Sequence, residues 1–258
     1  MNSSLNNEKL SLMKTKINLD NLKSNYFLNK IFDHIQKNKW LGIIKYNKII
    51  QKRLNINIYN YKDYSQLYTP IEVEIIPNNN GKFIHISKEE KEYYHIYFDD
   101  KKEEIKRNYL IENDKVNKIK IIIDYQVKSF KNLFFYCKNI ESIHFKKFFR
   151  INITNMSYMF SECTSLIELN LESFNTINVT DMKGMFSGCS SLKQLNLSNF
   201  NTNNVIDMSY MFYKCSSLID LNISNFIINN KTDLFCIFDE CNDVLKKKVT
   251  KQNKNIKI

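Results

Sequence analysis

Three stretches decide how this chain is read: NMSYMFSECTSLIELNLESF from Asn155, DMKGMFSGCSSLKQLNLSNF from Asp181 and DMSYMFYKCSSLIDLNISNF from Asp207. Their starting points lie 26 residues apart, and so do Cys137, Cys163, Cys189, Cys215 and Cys241. Self-similarity at a fixed period of this size is the signature of stacked units that bury their apolar faces only against their neighbours. It shifts the expected function from catalysis toward an extended binding surface.

Within the copy around Cys189, Asp181 precedes Met182, Met185, Phe186 and Cys189. That i, i+3, i+4, i+7 spacing places one apolar stripe on a short helix. Asp181 is the residue type that caps such a helix by accepting first-turn N–H groups, and Asn155, Asp207 and Asp233 hold the same position. Leu192, Leu195, Leu197 and Phe200 follow, a spacing close to the leucine-rich pattern in which L-x-L forms a short parallel strand. The expected fold class is therefore an α/β leucine-rich-repeat solenoid of short parallel strands and short helices.

Strand residues alternate faces. The alternation turns out Ser142, His144 and Lys146 in one copy and Glu168, Asn170 and Glu172 in the next. It does the same for Gln194, Asn196 and Ser198, and for Asp220, Asn222 and Ser224. These twelve positions form the expected partner-binding face. The Asn170–Asn196–Asn222 ladder reads equally well as structural, with side-chain amides bonding along the stack.

At its edges the array is atypical. The copy around Cys137 keeps the frame through Phe130, Leu133 and Phe134, then Ile140, Ile143, Phe145 and Phe148. One strand earlier, Ile119 and Ile121 match the L-x-L slot. The last copy keeps Leu234, Ile237, Phe238 and Cys241 but replaces the strand with VLKKKV. The predicted solenoid spans residues 116–245 with about five repeats.

The M-F-x-x-C-x-S-L-x-x-L-x-L unit resembles the BspA-type leucine-rich repeats, a class of bacterial surface antigens also found in protists. The N-V-x-D-M-x-x-M-F element, Asn178 to Phe186 and again Asn204 to Phe212, is typical of one subfamily. The resemblance implies an adhesion protein, since members are commonly secreted or surface-bound adhesins.

The ladder cysteines have three readings: small buried packing residues, a zinc site, or disulfides between rungs. Zinc wants four ligands in a tetrahedron, and a line of thiols lacking C-x-x-C pairs supplies none. Cys236 alone breaks the period and is the candidate reactive thiol. The four histidines are scattered, and no hydrolase, metalloprotease or phosphate-loop motif is present. No cofactor, metal, catalytic residue or small-molecule substrate is expected.

The chain carries 38 Lys/Arg against 27 Asp/Glu, yet the repeat half is nearly balanced. Residues 246–258 hold six lysines and no acid, a basic tail that reads as a frayed end. Nucleic acid and membrane are not the expected partners, because no aromatic–basic platform accompanies the charge. The N-terminal sequence has no apolar signal region and no long apolar run occurs, so the expected home is cytoplasmic, with a surface location as the alternative.

Residues 1–24 read as disordered or weakly helical. Residues 25–68 read as two or three short amphipathic helices, through Leu28, Ile31, Phe32, Ile35, Trp40, Ile43, Ile44, Ile49, Ile50 and Leu54. This segment is loosely similar to an F-box, which implies a Skp1-like partner and a ubiquitin-ligase adaptor. Residues 69–115 read as a small β-rich connector: Ile71, Val73 and Ile75 alternate with acids, and a turn at Pro77–Gly81 precedes Phe83, Ile84 and Ile86. The function expected from the sequence is a monomeric scaffold that binds another protein on its polar strand face.

Overall fold

The computed structural model describes residues 23–26, 28, 47–55, 69–148 and 150–256. The chain divides into two units, Met1–Tyr68 and Thr69–Ile258. In the first, helix α1 (Lys48–Arg53) is capped by Asn47, whose side chain accepts from the Ile50 N–H at 3.0 Å. Leu28 and Ile50 are buried, whereas Ile49 is exposed. Leu54, the C-cap of α1, is half-buried. The remaining positions of the predicted apolar stripe, the F-box reading with them, and the reading of residues 1–22 as disordered or weakly helical lie outside the described residues.

The second unit opens with a sheet. Strands β1 (Ile71–Pro77), β3 (Tyr94–Phe98), β5 (Ile119–Ile123), β6 (Ile140–Lys147) and β7 (Glu168–Asn170) lie in the order β3-β5-β1-β6-β7. A small pair, β2 (Gly81–Lys82) with β4 (Tyr109–Leu110), stands beside it, and β8 (Gln194–Asn196) pairs with β9 (Asp220–Asn222). All pairings up to β6 are antiparallel, while β6–β7 and β8–β9 are parallel.

The α/β leucine-rich-repeat solenoid expected for residues 116–245 is not what forms. No α-helix lies among the described residues from 69 to 242, and the largest sheet is a mixed five-stranded one. Ile119 and Ile121 do not begin a parallel ladder either. They pair antiparallel with Ile75 and Val73 of β1, which inserts between β5 and the first repeat strand. Ile71, Val73 and Ile75 are completely buried there, so the supposed connector supplies a central strand.

The helix expectation fails for a backbone reason. In each copy two positions interleaved with the stripe adopt the left-handed region: Asn132, Tyr158, Gly184, Tyr210 and Cys236, and four residues later Tyr136, Glu162, Gly188, Lys214 and Glu240. Their φ values run from +52° to +73°, which ends any α-helix after one turn. The stripe therefore folds as successive turns. Met159 N–H bonds back to Met156 C=O (3.2 Å) and Cys163 N–H to Phe160 C=O (3.2 Å). The intervening donors Tyr158, Phe160 and Glu162 reach forward to carbonyls of the next copy, Lys183, Met185 and Ser187, at 2.7–2.9 Å. Every buried backbone donor needs a partner, and here the neighbouring repeat provides it.

The side chains of the stripe still point inward as its spacing required. Met156, Met159, Phe160 and Cys163 are fully buried, as are their counterparts around Cys189 and Cys215. Phe134, Phe160, Phe186, Phe212 and Phe238 stack as a spine, with centroids 5.1–5.6 Å apart and planes within 11°. Offset aromatic pairs of this kind add about 0.5–1.5 kcal/mol each beyond their burial.

Residues 243–252 depart from the frayed basic tail. They form helix α2 (Asp243–Gln252), capped by Asn242, with Leu245 and Val249 buried. This helix covers the open edge of β9. Gln252 accepts from the Ile223 N–H (3.0 Å) and donates to Leu221 C=O (2.8 Å), while Lys248 Nζ donates to Ile219 C=O (2.9 Å). Asn253 donates to Phe226 C=O at 2.7 Å. Edge strands are commonly blunted by such covers.

Candidate partner-binding face

The polar face begins on the five-stranded sheet. Residue register aligns Tyr97, Lys120, Glu74, His144 and Asn170 in one row across all five strands. Lys120 pairs with Glu72 at 3.1 Å and Lys146 with Glu74 at 3.0 Å. His144 Nε2 lies 3.5 Å from Glu168 Oε1. The charges of this part thus largely face one another, and its acids Glu72 and Glu74 were missed by a reading that took their strand for a connector. The I-E-V-E-I alternation was the signal.

Along the repeats the face becomes a cleft of about 520 Å³. It is lined by Glu168, Asn170, Glu172, Gln194, Asn196, Asp220 and Asn222, seven of the twelve expected positions. Three of these are carboxylates, and no Lys or Arg lines it. The cleft lies over the place where the strand ladder is interrupted: β7 belongs to the large sheet and β8 to the two-stranded one. Exposed Ile167 rims it, and Ile219 occupies the same register two copies on.

Not every expected residue is available. Ser142 is buried (6% exposed), because its strand is flanked on both sides, by Ile76 of β1 and Glu168 of β7 in register. Lys146 is exposed but committed to Glu74. Ser198 is half-buried and Ser224 exposed, outside the cleft lining.

The asparagine ladder lines the cleft but does not bond along the stack. Asn170, Asn196 and Asn222 use their side-chain oxygens locally, accepting from the N–H two residues ahead: Glu172 (3.0 Å), Ser198 (3.1 Å) and Ser224 (3.2 Å). These are Asx turns that end each short strand. No hydrogen bond joins one of the three side chains to the next among the described residues.

The four expected helix caps have the same chemistry in another setting. Asn155, Asp181, Asp207 and Asp233 accept from the N–H two residues on, at 2.8–3.0 Å, and so open the turn runs instead of α-helices. They also form parallel bridges to one another, with Asn155 donating to Asp181 at 2.9 Å.

All six cysteines are free. The ladder thiols are buried, and those of Cys163, Cys189, Cys215 and Cys241 donate to the carbonyls of Phe134, Phe160, Phe186 and Phe212 in the copy before, at 2.9–3.1 Å. Burial pushes the Cys163 thiol up to about 12. Cys236 is half-exposed, yet its hydrogen bond to the Asp239 carboxylate, with burial second, pushes it up to about 11. A nucleophilic cysteine needs the opposite shift. No cluster of His, Cys, Asp or Glu suited to a metal ion occurs among the described residues.

Residues 128–252 match the family model DUF285, described as a Mycoplasma protein of unknown function. No curated protein matches the chain, and no solved structure does. No helix among the described residues is long and apolar enough to cross a membrane.

Proposed function

We infer that this chain is a protein-binding repeat module that holds its partner in the cleft on the polar strand face. The observation carrying this reading is that one concave, acid- and amide-lined surface runs across three consecutive copies, Glu168 to Asn222. Concave surfaces assembled from repeats are what such proteins use to bind extended segments. Three carboxylates with no Lys or Arg favour a partner segment rich in Lys or Arg, through complementary potential. The repeat unit and the family match over residues 128–252 support kinship with BspA-type repeat proteins. Six free thiols accord with a reducing, cytoplasmic setting.

The test is capture of partners by the full chain compared with the Glu168→Ala, Gln194→Ala, Asp220→Ala triple variant. All three side chains are exposed, so the fold should be unaffected. Loss of the captured protein, with an unchanged melting curve, is the expected result. Undiminished capture places the binding surface elsewhere.

A further inference from the structure

A second cavity, unrelated to the cleft, lies in the N-terminal part of the Thr69–Ile258 unit. It is the smaller of the two, about 210 Å³, and sits beyond the outer edge of β3. Among the described residues the one backbone bridge to that edge is Ile105 to Ile96, and the cavity occupies the space beside it.

Its floor is apolar. Tyr94 and Ile96 are buried, and Ile86 and Ile105 are half-buried against the main core. Its walls are firm: Asn108 donates to Ile84 C=O at 3.0 Å, and Ser87 accepts from the Glu90 N–H at 3.2 Å.

The mouth carries one sign of charge. Lys88, Lys91, Lys106 and Arg107 line it, and no carboxylate does. Two of the four are already matched, Lys106 to Glu104 at 2.6 Å and Arg107 to Asp114 in a bidentate pair. Lys88 and Lys91 form no ion pair among the described residues. A shallower basin of about 450 Å³ adjoins the mouth and brings Glu89 and Glu92 beside the same lysines. Glu89 and Glu92 line that basin and not the cavity itself.

An apolar floor below two unmatched ammonium groups is the arrangement that ligand pockets use, with burial supplying affinity and a few polar groups fixing orientation. We propose that this cavity binds a small amphiphilic anion, with its apolar body on Ile86, Ile96, Ile105 and Tyr94 and its anionic head between Lys88 and Lys91. The cavity admits a body of only a few carbons, so a full lipid chain does not fit. Neither the polar strand face nor its partner is involved. The lining comes from two nearby stretches, residues 86–96 and 105–108, which carry no recognisable binding motif.

The experiment is calorimetric titration of the full chain with hexanoate, hexanol, hexylammonium and inorganic phosphate. Saturable one-to-one binding of hexanoate is expected, with the other three at least tenfold weaker. The Lys88→Gln, Lys91→Gln double variant, both exposed positions, should weaken hexanoate roughly tenfold, because exposed charge pairs contribute modestly. Failure of hexanoate to saturate overturns the proposal. So does equal binding by hexanol, which removes the role of charge, or by phosphate, which reduces the site to surface lysines. Co-sedimentation with phosphatidylglycerol vesicles that the double variant loses would make the lysines a membrane contact, and would overturn it too.

Discussion

Gly184 and Gly188 show how tightly the repeat backbone constrains single residues. Both stand at left-handed positions that Tyr, Glu, Lys or Cys occupy in other copies, so conformation alone does not demand glycine there. The neighbours do. A Cβ on Gly184 would come 2.5 Å from the Tyr158 ring, and one on Gly188 2.5 Å from the Glu162 carboxylate. Gly184→Ala should therefore cost about 1–3 kcal/mol in urea unfolding, with part of the loss recovered by adding Tyr158→Ala; equal losses in both backgrounds would mean the ring is not the obstacle. Cys236 offers a second residue-scale test. Asp239 holds its thiol up near 11, so removing that carboxylate lets the thiolate form at lower pH. Asp239→Asn is expected to speed iodoacetamide labelling of Cys236 several-fold at about pH 8, while the buried ladder thiols stay slow. If the rate does not change, access and not ionisation limits the reaction. Arg150 is the largest fully buried side chain among the described residues. It is fully enclosed, donates to Asp124 C=O at 2.7 Å, and leaves Nε and Nη2 without a hydrogen bond among the described residues.

At the scale of elements, inward and outward positions were legible but backbone conformation was only partly so. The spacing Met182, Met185, Phe186, Cys189 named four side chains that are all at 0% exposure, but Ser187 between them is buried as well. It could not distinguish an α-helix from a run of turns, because both bring residues three and four apart to one side. What decided between them was the demand of the next repeat for backbone donors, which no single copy contains. Likewise Leu195 and Leu221 fall inside as alternation required, but the interruption between β7 and β8 that opens the cleft depends on how neighbouring copies sit. Helix α2 was hidden by composition: KKKVTKQ looks like a solvated end until Leu245 and Val249 are seen four residues apart, on one face. Its side chains stand in for a missing strand, so Gln252→Ala should cost about 1–3 kcal/mol by leaving the Ile223 N–H and Leu221 C=O unmatched. Leu245→Ala should cost about 2–5 kcal/mol. Denaturant midpoints measure both, and a Gln252→Ala midpoint equal to the parent's would show that water serves the edge as well.

For the molecule as a whole, the division of labour between connector and repeats disappears. Strand β1 lies between β5 and β6, so the sheet is complete only when residues 71–77 are present. A fragment of residues 116–258 should accordingly expose a strand edge and self-associate in size-exclusion chromatography, whereas residues 69–258 should unfold in one cooperative transition. A monomeric, cooperatively folded 116–258 fragment would contradict the role given to β1. The forward hydrogen bonds give this unit a direction. Donors at Asn132, Phe134 and Tyr136 look to the second copy, and the relay continues until Cys236, Phe238 and Glu240, whose N–H groups meet no backbone acceptor among the described residues. Because each copy is both acceptor for the one before and donor to the one after, an extra 26-residue copy can enter between two others without orphaning a single bond. The repeats are thus built like a polymer with a head and a tail, and duplication inside the gene would lengthen the polar strand face while leaving both ends as they are.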